Sequence, residues 1–425
     1  MHTVTHRQLF FQHVAQTSDS PLALEIDRAE GVYIYGPTLG PDSQPKRYID
    51  LISGIGVSNV GHRHPKVLDA IRQQLDKYLH LMVYGEYVQT PQTQLAQALA
   101  STLPTGLDNV YFTNSGTEAV EGAMKLVKRY TGRTEIISCI NAYHGATQGA
   151  LSLSGDENFK RNYRPLLPGI RHIRYNNGAD IEKIGCRTAA VVIEVIAAES
   201  GVRVPDAGYL QAVRQRCTDM GALLIFDEIQ TGFGRTGTFW AFEDAGESGP
   251  VVPDVLLCAK GMGGGMPIGA FISSAEIMSV FKNNPILGHI TTFGGHPVSC
   301  AASLATLQVI REGDADAGTL YEQAEAKGQL FRQLLVHPAI REIRGKGLML
   351  AVEFESLAVL KPIIDRAIAD HSSGSEPSSR ASVRPGVITD WFLFCDNSMR
   401  IAPPLIITEE QIREACTVIL NAIEG

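Results

Sequence analysis

Three short apolar runs in this chain each end on a charged residue, and they limit the possible folds more than any other feature. AAVVIEV ends around Glu194, ALLIFDE ends just after Asp227, and DVLLCAK ends at Lys260. Each run has the length of a β-strand, and helical stretches such as Tyr209 to Met220 separate them. This alternation predicts a parallel sheet covered on both faces. Ligands bind at the carboxyl ends of such strands, where these charges would lie.

The segment NVYFTNSGTEAVEGAMKLVKRYTG repeats the pattern earlier in the chain, with a short apolar strand, a polar turn and an amphipathic helix. Ser115 or Thr117 can cap this helix, and Gly132 can end it. The C-terminal part differs, because residues 347–354 alternate in polarity and a closing helix runs from about 409 to 423. We expect a smaller α+β domain there.

These patterns together predict an α/β protein with two domains. The large domain is expected at 62–310, and the small domain combines the N-terminal segment 1–61 with the C-terminal segment 311–425. The serine-rich stretch 371–386 is typical of a mobile loop.

Composition excludes several classes of function. The chain has 425 residues, a formal net charge of −8 and dispersed basic residues, so it lacks the electrostatic signature of a nucleic-acid or membrane partner. No apolar run is long enough to span a membrane, and no signal peptide is recognisable. The seven scattered cysteines contain no C-x-x-C pair, so we expect no metal site and reduced thiols in the cytoplasm.

Asp227 and Lys260 are the strongest candidates for chemistry, since a carboxylate and an amine would face one crevice. A plain salt bridge is the alternative interpretation of this pair. The turn TNSGTEA opens a helix whose free N–H groups suit a phosphate, although it could be only an N-cap. Glycines surround Lys260 in AKGMGGGMPIG, so a flat ring could approach the backbone. Met266 stands where the dinucleotide-binding fingerprint requires its third glycine, and there is no Walker A motif.

A phosphate site, an amine that can condense with an aldehyde and a carboxylate for a ring nitrogen are together what pyridoxal 5'-phosphate (PLP) requires. The chain also resembles the class III aminotransferases of the PLP-dependent transferase fold type I. That fold implies a large domain with a mostly parallel seven-stranded sheet between helices, plus the smaller α+β domain. The matching blocks are SGIGVSNVGHRHP, NSGTEA, AYHG, LIFDEIQTGFGRTG, AKGMGGGMPIGA, TTFGGHP and RIAPPLIIT.

The resemblance implies a role for each cofactor-binding residue. Lys260 would form the Schiff base and then move the proton, while Asp227 would keep the pyridine nitrogen protonated. Tyr143 would stack on the ring, with its neighbour His144 interpreted as a packed, hydrogen-bonded histidine rather than a catalytic one. The remaining implied cofactor ligands are Ser115, Gly116 and Thr117 at the phosphate, Gln230 at the ring hydroxyl, and the strand-end Glu194.

Other positions bear on substrate and assembly. Thr292 matches a threonine that reaches the phosphate of a neighbouring subunit, which implies a homodimer with active sites at the subunit interface. Arg400 matches the arginine that grips a substrate carboxylate, and Glu199 the glutamate that masks it when an ω-amine enters. Ala146 stands where ornithine- and 4-aminobutyrate-type enzymes carry an arginine, and Ile55 where ornithine enzymes have a substrate-binding tyrosine.

The resemblance therefore implies a cytoplasmic PLP-dependent transaminase that moves an amino group from an ω-amino acid or amine to 2-oxoglutarate or pyruvate by a ping-pong mechanism. An aminomutase or a racemase on the same scaffold is the nearest alternative. A PLP-binding regulatory protein without turnover is another, and a nucleotide-dependent α/β enzyme is disfavoured by the failed glycine fingerprint.

Overall fold

The computed structural model describes residues 4–38, 45–245, 249–313, 317–369 and 385–425. The strands are β1 (Arg28–Glu30), β2 (Tyr33–Tyr35), β3 (Arg47–Asp50), β4 (Asn109–Thr113), β5 (Glu135–Cys139), β6 (Ile170–Ile173), β7 (Thr188–Glu194), β8 (Leu223–Asp227), β9 (Val255–Cys258), β10 (Gly269–Ser273), β11 (Glu342–Lys346), β12 (Met349–Glu353), β13 (Gly386–Ile388), β14 (Trp391–Phe392) and β15 (Cys395–Ile401). The helices are α1 (His6–His13), α2 (Ser53–Gly56), α3 (Pro65–Leu75), α4 (Thr90–Ala100), α5 (Gly116–Thr131), α6 (Gln148–Leu153), α7 (Glu157–Lys160), α8 (Gly178–Ile181), α9 (Tyr209–Met220), α10 (Ala275–Met278), α11 (Pro297–Glu312), α12 (Leu320–Leu334), α13 (Leu357–Ile368) and α14 (Glu409–Glu424).

The largest sheet has seven strands in the order β4-β10-β9-β8-β7-β5-β6. The five strands from β9 to β6 run parallel, whereas β10 pairs antiparallel with both β9 and β4. The expected α/β architecture with a mostly parallel seven-stranded sheet is therefore confirmed.

Both faces of this sheet are buried, as the apolar strand sequences predict. Along β7, Val191 and Ile193 pack into the main core cluster with Leu210 of α9, while Val192 points to the opposite face. There it joins a second cluster that contains Val120 of α5. Helices on either side thus explain why the strands carry apolar residues at successive positions.

The unit from β4 to α5 has the predicted form. The hydroxyl of Ser115 caps α5 by accepting a hydrogen bond from the backbone N–H of Glu118 at 3.3 Å. Gly132 ends the helix in the left-handed conformation with φ 67°. The predicted helix from Tyr209 to Met220 is also present, as α9.

Two smaller sheets have the orders β1-β2-β3-β13 and β11-β12-β15-β14. In the first, β13 from the C-terminal part pairs with β3 from the N-terminal part. The closing helix α14 ends one residue beyond its predicted limit. The domain boundaries at 61/62 and 310/311 stay a prediction.

The strand β12 lies within residues 347–354, where the sequence alternates in polarity, and its first four residues are all buried. Leu350 and Val352 pack in the main core, whereas Met349 and Ala351 pack on the other side against a small cluster. The predicted serine-rich loop lies almost wholly outside the described residues, at 371–384.

All seven cysteines are free thiols. Among the described residues, no helix is long and apolar enough to cross a membrane, and no cluster of side chains could hold a metal ion.

Close packing between α5 and β10 depends on Gly122, because a Cβ there would lie 2.3 Å from Cε1 of Phe271. We expect Gly122→Ala to lower the free energy of unfolding by about 1–3 kcal/mol, since overpacking outweighs the gain in helix propensity. Thermal unfolding would measure the effect. The matched control is Gly178→Ala at the start of α8, where a Cβ meets nothing within 4 Å. Equal stability of the two variants would contradict the packing argument.

Candidate functional site

The carboxyl edge of the large sheet carries the predicted charges side by side. Glu194 and Asp227 are partners in the register of β7 and β8, so their side chains leave the sheet at the same level. The next strand, β9, ends at Cys258, and Lys260 opens a short 3-10 turn two residues later with φ 44°. The strained backbone at Lys260 turns the chain away from the sheet and leaves the amine at its edge.

A cleft of about 490 Å³ opens at this edge. It is lined by nine of the predicted site residues: Ser115, Gly116, Thr117, Tyr143, Glu194, Glu199, Asp227, Gln230 and Lys260. Thr292 is exposed on a loop outside this lining, and Ile55 is 39% exposed with φ 65°. Arg400 is buried behind the cleft. The fold therefore brings most of the predicted residues together, from segments up to 145 positions apart in sequence between Ser115 and Lys260.

Asp227 does not form the plain salt bridge considered as an alternative. Its Oδ2 lies 2.7 Å from Nδ1 of His144, and its Oδ1 accepts a hydrogen bond from the backbone N–H of Ile229 at 3.0 Å. Among the described residues, Lys260 has no ion pair. Asp227 is thus held in place by two neighbours in the lining of the cleft.

Buried charges around Asp227 alter the proton affinities of their neighbours. Burial opposes protonation of His144, but the hydrogen bond and charge of Asp227 outweigh it and raise the pKa of His144. Burial also raises the pKa of Glu194 to about 7. The Nε2 atom of His144 is buried without a hydrogen-bond partner in the described residues. This agrees with the interpretation of His144 as a packed, hydrogen-bonded histidine.

Lys260 has a lowered pKa. Burial is the main cause, and the positive charge of Arg400 adds to it, against the opposing effect of Glu199 and other acids. A lowered pKa increases the fraction of the neutral amine, which is the form that acts as a nucleophile and as a base.

The N-terminus of α5 forms one wall of the cleft. Thr117 Oγ1 lies 2.6 Å from Thr147 Oγ1, which in turn donates a hydrogen bond to Glu121. Gly145 packs directly against this wall, because a Cβ there would lie 2.3 Å from Thr117 Oγ1. Ser115, Gly116 and Thr117 line the cleft at this helix N-terminus, and the N-terminus of a helix is an arrangement that binds anions.

Glu199 and Arg400 form a buried ion pair. Both residues are only 3% exposed. The NH1 and NH2 groups of Arg400 donate to Oε1 and Oε2 of Glu199 at 3.0 and 3.1 Å. The pair lowers the pKa of Glu199 in spite of its burial, so Glu199 stays ionised. In this structure Glu199 binds the guanidinium group of Arg400, which was predicted to bind a substrate carboxylate.

Several lining residues were not identified from the sequence. Ile229 stands two positions after Asp227, packs against Gly116 and lines the cleft. Met266, Pro267 and Ile268 line it from the glycine-rich segment. These residues stand in the sequence motifs that were predicted to bind the ligand, and this position could have identified them as cleft residues. Their residue types alone do not distinguish them from ordinary core residues.

Comparisons with known proteins agree with this geometry. The family model described as aminotransferase class-III matches residues 14–423. An acetylornithine aminotransferase from Methanopyrus kandleri is 36% identical over 387 residues, which cover 90% of this chain and 92% of the relative.

Solved structures of similar proteins include an ornithine aminotransferase from Toxoplasma gondii, with a TM-score of 0.85 and 29% identity over 99% of this chain and 95% of that one. A thermostable omega transaminase mutant from Pseudomonas jessenii has a TM-score of 0.84 and 26% identity, and covers 99% and 98%. The chain belongs to the class III aminotransferases, and it is a PLP-dependent transaminase.

Proposed function

We propose that this enzyme transfers the amino group of an ω-amino acid or amine to 2-oxoglutarate or pyruvate, with Lys260 and Asp227 as its catalytic residues. One observation carries the assignment of roles: the amine of Lys260, the carboxylate of Asp227 and the open N-terminus of α5 face the same cleft. These groups match the aldehyde, the ring nitrogen and the phosphate of PLP. The residues present therefore fit the cofactor that the family requires.

At the phosphate end, Ser115, Gly116 and Thr117 would supply hydroxyl and backbone N–H donors. The absence of a side chain at Gly145 supports this, because it lets the chain close against Thr117 and shape the cradle. At the ring, Tyr143 would stack on the face of the cofactor. Gln230 would donate a hydrogen bond to the ring hydroxyl, and Glu194 would complete the charged surround of Asp227.

When bound, PLP accepts the electron pair that remains on the substrate carbon after a proton leaves. Asp227 would keep the ring nitrogen protonated, and the hydrogen bond from His144 fixes the carboxylate in place for this role. Lys260 would take the proton from the substrate carbon that bears the amino group. It would then deliver this proton to the carbon of the cofactor aldehyde, C4'. Its lowered pKa favours the neutral amine that this step needs.

The substrate assignment rests on the charges around the cleft. Among the described lining residues, Lys260 is the only lysine or arginine, and Ala146 stands where an arginine would offer a second anchor for a carboxylate. With Glu199 paired to Arg400, the cleft suits an incoming amine whose carboxylate, if it has one, lies far from the reacting carbon. If Glu199 moves aside, Arg400 can bind the carboxylate of a 2-oxo acid. The ornithine, acetylornithine and omega transaminases found as relatives agree with such donors.

We also propose a homodimer, in which Thr292 of one subunit would reach the phosphate site of the other. The exposed position of Thr292, outside the cleft of its own chain, supports this arrangement. A cytoplasmic location is proposed as well, and the free state of all seven cysteines supports it.

A panel of donors tests the reaction and its alternatives. Ornithine, 4-aminobutyrate, 1-phenylethylamine and alanine would each be added to the holoenzyme without an acceptor. With at least one ω-amine, we expect stoichiometric conversion of the cofactor to pyridoxamine 5'-phosphate and release of an oxo product. This conversion should be faster than the conversion with alanine. Isomerised or racemised product with no pyridoxamine form would instead support an aminomutase or a racemase. No reaction with any donor would support a regulatory protein.

Lys260→Ala should abolish the visible absorbance of the lysine-bound cofactor and reduce turnover by at least about 10²–10⁴-fold, because Lys260 is the only lysine among the described residues that line the cleft. Absorbance spectra, borohydride trapping with peptide mapping and steady-state rates would measure this. Lys66→Ala is the control, since that side chain is 62% exposed. Cofactor trapped at another lysine in the wild-type protein would contradict the assignment.

Asp227→Asn should retain the cofactor on Lys260 but slow proton transfer by roughly 10²–10³-fold, because a neutral amide no longer favours a protonated ring nitrogen. Single-turnover kinetics with a deuterated donor would measure the step. Asp219→Asn on the exposed side of α9 is the control. A near-normal rate for the Asp227 variant would disprove its pairing with the ring nitrogen.

A further inference from the structure

The side chain of Arg400 is held by a second carboxylate, Asp390, which no motif singled out. The Nε atom of Arg400 donates to Oδ1 of Asp390 at 2.7 Å. Glu199 uses only NH1 and NH2, so the two carboxylates occupy different edges of one guanidinium group. Arg400 is therefore shared between two acids, and the loss of one would leave the other bond intact.

The two carboxylates come from different parts of the fold. Asp390 immediately precedes β14, and its backbone carbonyl accepts a hydrogen bond from the N–H of Arg400 in the neighbouring strand β15 at 2.9 Å. Thr389 ties the same two segments together through a bond to the carbonyl of Arg400. Glu199 instead follows β7 of the large sheet. Asp390 thus belongs to the same hairpin as Arg400, whereas Glu199 does not.

The neighbouring aromatic ring restricts Arg400 further. The guanidinium carbon lies 4.3 Å from the centre of the Phe392 ring, on the same hairpin. The ring covers the face of the guanidinium plane while Asp390 holds its Nε edge. Only the edge formed by NH1 and NH2 is left for Glu199, or for a carboxylate of the same shape.

Glu199 has two further hydrogen-bond partners in its present position. Gln230 donates to its Oε1 at 3.3 Å, and the backbone N–H of Leu393 donates to its Oε2 at 3.1 Å. A substrate carboxylate that replaced Glu199 on Arg400 would restore the same number of charges at the guanidinium group. The exchange would therefore not leave a buried cation with only one carboxylate.

We propose that Asp390 is a positioning residue that fixes Arg400 by its Nε edge, so that NH1 and NH2 are pre-aligned for two parallel hydrogen bonds to the carboxylate of the 2-oxo acid acceptor. The inference rests on the proposed role of Arg400. Asp390 does not touch the substrate, and its contribution is to the affinity for the acceptor rather than to proton transfer.

The acceptor half-reaction can be measured by itself. Enzyme loaded with pyridoxamine 5'-phosphate would be mixed with 2-oxoglutarate or pyruvate, and the absorbance change followed over a concentration series. For Asp390→Asn we expect a roughly 10- to 100-fold higher half-saturating concentration of acceptor, with a much smaller change in the limiting rate. Asp390→Glu, which keeps the carboxylate, should recover part of the affinity.

Binding without reaction provides a second measurement. Glutarate has carboxylates but no oxo group, so calorimetry with the same pyridoxamine-loaded enzyme reports carboxylate binding alone. We expect Asp390→Asn to weaken glutarate binding by a similar factor. The matched control is Asp396→Asn, an exposed aspartate on the same hairpin, which should bind both ligands as the wild type does.

The possible results separate this inference from the proposed function. Unchanged acceptor and glutarate affinities in Asp390→Asn, with an active wild type, would overturn the role of Asp390 alone. Equal losses in the donor and acceptor half-reactions, with a lower melting temperature, would show a structural role and also overturn it. A wild-type enzyme that converts no 2-oxo acid would overturn the proposed function and this inference together.

Discussion

The parallel pairing of β7 with β8 and of β8 with β9 is the constraint on which the whole site depends. It places Glu194 beside Asp227 and brings Lys260 to the same edge of the sheet. The strands hold these positions because both of their faces are buried under helices, so a shift in register would move apolar side chains between two different cores. The chemistry is thus fixed by packing at a distance from the cleft.

Several charged side chains are buried around this cleft. A buried charge is unfavourable unless an opposite charge or hydrogen bonds compensate for it. Asp227 is balanced by His144, and Glu199 by Arg400. Glu194 has hydrogen bonds from backbone N–H groups but no ion-pair partner among the described residues, and burial raises its pKa to about 7. Breaking any of these pairs would leave an uncompensated charge out of water, so the pairs stabilise the site as well as position it.

Arg400 connects the large sheet with the hairpin of β14 and β15. One acid that binds it lies in the loop after β7 and the other on the hairpin itself. In the proposed arrangement, a substrate carboxylate would replace the first without disturbing the second. Recognition of two different substrates would then require only that Glu199 change its partner, while Arg400 keeps its bond to Asp390.

The sequence by itself determined that the strands ending near Glu194, Asp227 and Lys260 form a parallel sheet buried on both faces, the cap and end of α5, and some of the residues that line the cleft. It could do so because apolar runs of strand length, caps and glycine-rich turns are local patterns, and because parallel strands must share a carboxyl edge. Asp227 and Lys260 were identified in this way. The seven-stranded form of the sheet was implied only by the family resemblance. This resemblance also added Tyr143, Gln230, Glu199 and Arg400.

Only the tertiary structure decided the contacts between distant segments. Nothing local to Asp390 distinguishes it from an exposed turn aspartate, and its bond to Arg400 exists because two strands of a hairpin pair in one particular register. The burial of both faces of β12 likewise depends on a cluster contributed by the loop after β7. Partners of this kind are set by how elements pack on one another, and periodicity within a single element carries no record of them.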